Sequence, residues 1–321
     1  MKLKEVIHPS ILISEMFYPY VGDSRKLCDI IGKIAGLNYY RGIEIGLVDG
    51  EENRNLVRRQ VDDNQWQLTM WITQDLLKRG LNPSTLDKAV HQKTVSRLKE
   101  LVEIAGECGA SNLAMISCDD PGEKNRAEAK KNLYEVIVEI CREIQKYPKM
   151  NLLIEPLDRA AHKKNLIGPT DESVEFLTQL RREYQYIYFS WDSAHVALNN
   201  EDLLWSLEMS APYISQIHLA NAVLDPNSEL YGDWHMHLGT PGFLNFECGA
   251  RLLKKAAALP LPGHLKHFVS VEVRCKDNDL PWDNEKKYRA FLDEILEREV
   301  EKDIKNEIDK TETTIRMCKK Y

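Results

Sequence analysis

No run of about 18 consecutive apolar residues occurs in the 321-residue sequence, so it offers no candidate membrane-spanning helix. Its seven cysteines are scattered without a CxxC or CxxH pair, which excludes an obvious zinc knuckle and disfavours a disulfide framework. Basic residues are outnumbered 43 to 50, and the net charge of −7 leaves no electrostatic footprint for nucleic acid or an anionic membrane. A Gly-rich phosphate loop is also missing, so neither a nucleotide fold nor a sugar phosphate substrate is specifically supported. The opening "MKLKEVIHPSILISEMF" is too polar, and its apolar part too short, for a secretory signal. The expected location is the cytoplasm, with no nucleic-acid or membrane partner.

No Pro/Gly/Ser-rich linker divides the chain. Short apolar runs alternate instead with helical patterns from end to end. Strands are expected near Val6–Ile13, Gly42–Val48, Trp66–Ile72, Asn112–Ser117, Asn151–Glu155, Tyr186–Asp192, Ile214–Leu219 and Phe268–Val273. Between them, stretches such as "EKNRAEAKKNLYEVIVEICREIQKY" place Leu133, Val136, Ile137 and Ile140 at helical spacing, the pattern of a packing face. Eight strands separated by helices predict an α/β fold, a closed parallel (β/α)8 TIM barrel, over a doubly wound open sheet. A single domain is expected over 1–321, with the charged segment 297–321 forming a helical extension.

In such a barrel, chemistry sits at the C-terminal ends of the strands. Four successive strands close on polar groups: Glu155 in "NLLIEPLDR", Asp192 in "IYFSWDSAH", His218 in "ISQIHLANA" and Glu272 in "FVSVEVR". Each alone reads as an N-cap, an ion-pair partner or a core histidine. Together, neighbouring carboxylates would repel one another unless a cation sat between them. Three carboxylates and one imidazole form a mainly hard-oxygen donor set. That set favours Mn²⁺, with Mg²⁺, Co²⁺, Fe²⁺ or Zn²⁺ as alternatives. His195, three residues after Asp192, is expected to contact substrate or support the ligands, or else to sit on a surface loop.

These strand ends resemble the sugar phosphate isomerase/epimerase superfamily of xylose isomerase-like TIM barrels. The likeness covers nearly the whole chain in architecture and is most specific from Glu155 to Glu272, through "LLIEPLDR", "WDSAH", "IHLAN" and "VSVEV". The resemblance implies that Glu155, Asp192, His218 and Glu272 bind one divalent ion. It further implies that Glu155 and Glu272 exchange protons on opposite faces of a ketose, and that His195 touches substrate oxygens. Enediolate chemistry next to a carbonyl suits these groups.

Two departures from the ketose 3-epimerase pattern redirect the expectation. A further Glu six residues after the first is here Ala161, followed by His162 in "DRAAHKKN", and a substrate-binding Arg six residues past His218 is here Leu224. An imidazole titrates near neutral pH and suits a base. The pattern is therefore similar to the catalytic subunits of C-glycoside deglycosidases, which act on 3-oxo-glycosides beside a small partner subunit. On that resemblance a carbon–carbon lyase with His162 as base is set slightly ahead of an epimerase or isomerase, with a non-catalytic sugar-binding subunit as a third reading. His162 also reads as an exposed residue at a Lys-rich helix start. "GDWHMHLGTPGF" supplies Asp233, Trp234 and His235 as candidate substrate contacts, and Glu44 in "GIEIG" either faces the pocket or forms a salt bridge. Trp71 is expected in the core, and Cys118 and Asp119 near the pocket. A D-x-H pair also occurs in endonuclease IV-like relatives, but those carry further metal histidines on early strands, and strands two and three here end without one.

Overall fold

A computed structural model describes residues 2–20, 22–260, 267–276 and 278–299. Its eight barrel strands are β1 (Ile7–Leu12), β2 (Gly42–Ile45), β3 (Gln67–Trp71), β4 (Asn112–Ile116), β5 (Asn151–Glu155), β6 (Ile187–Asp192), β7 (Ile214–Ala220) and β8 (His267–Glu272). They run parallel in sequence order and close where β8 pairs with β1. The expected (β/α)8 barrel is thus the observed fold. Strand positions agree with the sequence reading to within three residues, the largest difference being β2, which stops at Ile45 rather than Val48.

The strands are buried on both faces and largely apolar on the face that meets the helices. Every residue of β4, β6, β7 and β8 is buried, as parallel strands between a barrel interior and an outer helical layer require. The predicted stripe Leu133, Val136, Ile137 and Ile140 lies buried on the helix Glu123–Ile144. The neighbouring helix Lys88–Glu107 starts where the Asp87 side chain accepts from the amides of Ala89 and Val90. It ends against Tyr147 at Gly106, where a Cβ would stand 2.1 Å from the ring.

Register delivers the polar strand ends to one mouth. Asp192 lies opposite His218, and His218 opposite Ser270, two residues before Glu272 on the same face of β8. Beyond β7 a two-stranded ribbon pairs Ala222–Val223 with Gly232–Asp233. Asn221 ties down the rest of that loop, donating to the carbonyls of His237 and Gly239 and accepting from the Leu244 amide. Among the described residues no helix is long and apolar enough to cross a membrane. The expected extension over 297–321 lies, from 300 onward, outside the described residues. Its first three residues do not continue the helix Pro281–Leu296: Glu297 caps it, and Glu299 bridges to Lys2.

His267 opens β8 buried, its Nε2–H donating to the Ala256 carbonyl while Nδ1 has no partner. Burial lowers its pKa to about 4, whereas an unfolded histidine titrates near 6.5. The unfolded chain therefore takes up a proton first as pH falls. Stability from this residue is complete above about pH 6.5 and drains away toward pH 4, by on the order of 2–3 kcal/mol. Denaturant titrations at several pH values should show this slope in the wild type and a shallower one in His267→Gln.

Candidate metal centre

Glu155, Asp192, His218 and Glu272 converge at the barrel mouth. Each offers one ligand atom, all four atoms lie within 4.8 Å of one another, and all four side chains are buried. His218 stands at the middle, with Nδ1 3.1 Å from Glu155 Oε1 and 3.0 Å from Glu272 Oε2. Its Nε2 points the other way and lies 2.9 Å from Glu44 Oε2.

Glu44 is fully buried, and its carboxylate also accepts from Trp71 Nε1 (2.9 Å), Gln216 Nε2 (3.0 Å) and the Ser270 hydroxyl. Of the two readings of Glu44, a pocket residue or a salt bridge, its geometry is that of the second: β2 places it behind His218, where it can hold the Nε2 proton and leave Nδ1 for a cation. Trp71 also departs from the expected core position. It is partly exposed, donates to Glu44 and sets its ring 5.5 Å from that of His218. Trp191 is a core residue, its indole donating to Ser206.

Asp192 shows how strand end and site are joined. Its Oδ1 caps the short helix Ser193–Leu198, accepting from the amides of Ala194 (2.7 Å) and His195 (3.0 Å). Its Oδ2 is buried with no hydrogen-bond partner. A buried carboxylate oxygen left bare is costly unless something absent from the polypeptide completes it. The electrostatics agree. Burial pushes Asp192 well above the usual carboxylate range, with Glu272 and Glu155 adding to the effect against His195 and His218. Burial and Glu272 also push Glu155 up, against His218. Glu272, despite burial, is held at about 2 by His235 and His218. One imidazole cannot neutralise three such carboxylates, and the four groups could hold a divalent metal.

A second polar layer adjoins Glu272. His235 Nδ1 lies 3.4 Å from Glu272 Oε1 and 3.0 Å from Glu15 Oε2, and its Nε2 lies 3.1 Å from Asp233 Oδ2. The same Asp233 oxygen faces Lys163 Nζ at 3.1 Å and His195 Nε2 at 3.7 Å. His195 is buried, with Nδ1 3.1 Å from Asp158 Oδ1; burial would lower its pKa, but Asp192, Asp158 and Asp233 raise it to about 9. It belongs to this network and not to a surface loop. Asp158 also accepts from the amides of His162 (2.5 Å) and Lys163 (2.8 Å), which fixes the loop after β5.

The structure therefore brings His195, Asp233 and His235 together beside the four strand-end groups. His162 is not among them. Its ring packs on Trp234 at 4.4 Å, and no hydrogen bond or ion pair joins it to the four. Cys118 is buried beside Ile116 and Leu157, and Asp119 bridges to Asn165. Glu15, Asp158, Lys163 and Arg274 were not singled out from sequence. Arg274 binds both oxygens of Glu15, at 2.5 and 3.0 Å. The available signal was position alone: Asp158 and Arg274 fall within three residues of Glu155 and Glu272.

A family model described as the xylose isomerase-like TIM barrel matches residues 33–298. The chain belongs to that family. Several solved structures of similar fold have low identity. D-psicose 3-epimerase from Clostridium cellulolyticum H10, solved with D-tagatose, aligns with a TM-score of 0.65 at 13% identity, covering 91% of this chain and 100% of that one. A 3-keto-D-glucoside 4-epimerase from E. coli gives a TM-score of 0.61 at 13% identity, covering 90% and 98%. A family 2 AP endonuclease from Brucella melitensis gives 0.60 at 12%, covering 85% and 93%. No curated protein matches the sequence. Within this xylose isomerase-like barrel, the described ends of β2 and β3 carry Glu44 and Trp71, not histidines.

If Glu44 orients His218 for a cation, Glu44→Gln should weaken divalent-metal affinity about 10- to 100-fold. Competition against a chromogenic chelator measures this directly. Unchanged affinity would remove Glu44 from the site.

Proposed function

We propose that this protein is a divalent-metal-dependent epimerase or isomerase of keto-sugars, working by proton abstraction next to a carbonyl. The observation that carries the reading is the buried cluster itself, in which Glu155 and Glu272 reach one pocket from separate strands and each touches His218. Manganese is the preferred ion, on the hard-oxygen character of the donors. When bound, such an ion polarises a carbonyl and stabilises negative charge developing beside it.

The chain's own groups do the rest. One carboxylate accepts the proton from carbon and the other returns one, so epimer or isomer depends on which carbon and face receives it. His195, held at Nδ1 by Asp158, turns Nε2 toward Asp233 and the pocket side, where it can donate to a sugar oxygen. Trp71 forms an apolar wall beside His218, and burial of the cluster limits water near the reacting carbon.

A second reading, a lyase acting on 3-oxo-C-glycosides beside a small partner subunit, has one observation in its favour. His162 Nδ1 is buried without a partner, and burial and Lys163 lower the pKa of the ring, which keeps it neutral and able to accept a proton at pH 7. Its ring packs on Trp234 and makes no hydrogen bond or ion pair with the four-residue cluster, which sets this reading second.

Solvent deuterium should enter the carbon next to the carbonyl of a ketose substrate. Glu155→Gln and Glu272→Gln should each slow that exchange by roughly 10²- to 10⁴-fold. Full exchange in Glu272→Gln would refute the proton-transfer role. The lyase reading predicts instead release of free aglycone that His162→Ala abolishes. Because the folded pKa of His162 lies below 6.5, that release should persist below pH 6.5 and fall only on further acidification.

A further inference from the structure

Trp234 follows Asp233, whose carboxylate is tied to His235 and through it to Glu272. The His162 ring that packs on the indole belongs to the loop that Asp158 fixes, and the same Asp158 holds His195 beside the centre. Yet Trp234 remains 51% exposed. A large aromatic left wet beside a polar pocket marks a contact surface.

This indole is fixed in place. Its Nε1–H donates to the Tyr231 carbonyl at 3.2 Å, and the His162 ring packs on it at 4.4 Å with 47° between planes. Backbone geometry enforces the contact. Gly232 has φ +113°, and a Cβ there would stand 2.6 Å from His162 Cγ. The loop after β5 and the ribbon after β7 thus clasp each other around an open aromatic platform. The neighbouring cation, Lys163, is paired with Asp233 and is not available to an anionic group.

We infer that this platform is a subsite for a second ring joined to the sugar, so that the substrate is a neutral glycoside of a keto-sugar rather than a free monosaccharide. The inference rests on the keto-sugar reading. An aryl aglycone and a second sugar share the required chemistry, a ring with an apolar face to lay against the indole.

The test compares calorimetric binding of methyl, phenyl and glucosyl glycosides of 3-keto-glucose to the metal-loaded full chain. At least one of the two ring-bearing ligands should bind about tenfold more tightly than the methyl glycoside, and the stronger of them identifies the ring. In Trp234→Ala that ratio should fall close to one. Gly232→Ala, which displaces His162, should lower it as well. Equal affinity for all three ligands, or a ratio that survives Trp234→Ala, overturns the subsite while leaving the keto-sugar reading standing. No binding by any ligand, the methyl glycoside included, overturns both.

Discussion

Three carboxylates crowded around one imidazole in a buried mouth impose the constraint on which the rest of this structure depends. Glu155, Asp192 and Glu272 cannot all be ionised in that space without a compensating positive charge. His218 alone does not supply it, since its Nε2 side already faces Glu44. The bare Oδ2 of Asp192 is the local sign of the imbalance. A divalent cation would answer both problems at once.

The barrel makes that crowding unavoidable. Parallel pairing fixes Asp192 opposite His218, and the two-residue repeat of the strand brings Glu272 to the same face as Ser270, one step nearer the mouth. Beneath them Glu44, Gln216 and Ser270 form a hydrogen-bonded floor that holds His218 in one orientation. Around them Asp158, Asp233 and Glu15 orient His195 and His235. Rigid strands carry the inner groups, whereas the loops and short elements beyond the strand ends carry the outer ones. This is the division expected when a scaffold fixes a reactive centre and its loops set what reaches it.

Much of this was legible in the sequence because strand ends announce themselves. A polar residue closing an apolar run, as in "IYFSWD", shows both a boundary and a site, and four such ends marked the cluster. Loop geometry was less legible. His162 stood out by its residue type, but nothing local revealed that Gly232, seventy residues away, makes room for its ring against Trp234. Glu44 looked like a pocket residue because its strand position is inward. Only the closed barrel shows that His218, from β7, lies between it and the mouth. Nothing in the sequence sets Lys163 and Arg274 apart from the other charged residues; the fold does so by placing Asp233 and Glu15 beside them.

Membership of the xylose isomerase-like barrel family concerns the fold, whereas the proposed chemistry rests on the geometry of the cluster. The family match concerns the chain as a whole, while the cluster is built from four residues whose charges must be balanced. The most direct measurement is an anomalous-difference map from a crystal grown with Mn²⁺ and collected near the manganese absorption edge. The account predicts one strong peak enclosed by Glu155, Asp192, His218 and Glu272, within bonding distance of Asp192 Oδ2. No peak there in metal-saturated crystals, or a peak only elsewhere on the molecule, would contradict it.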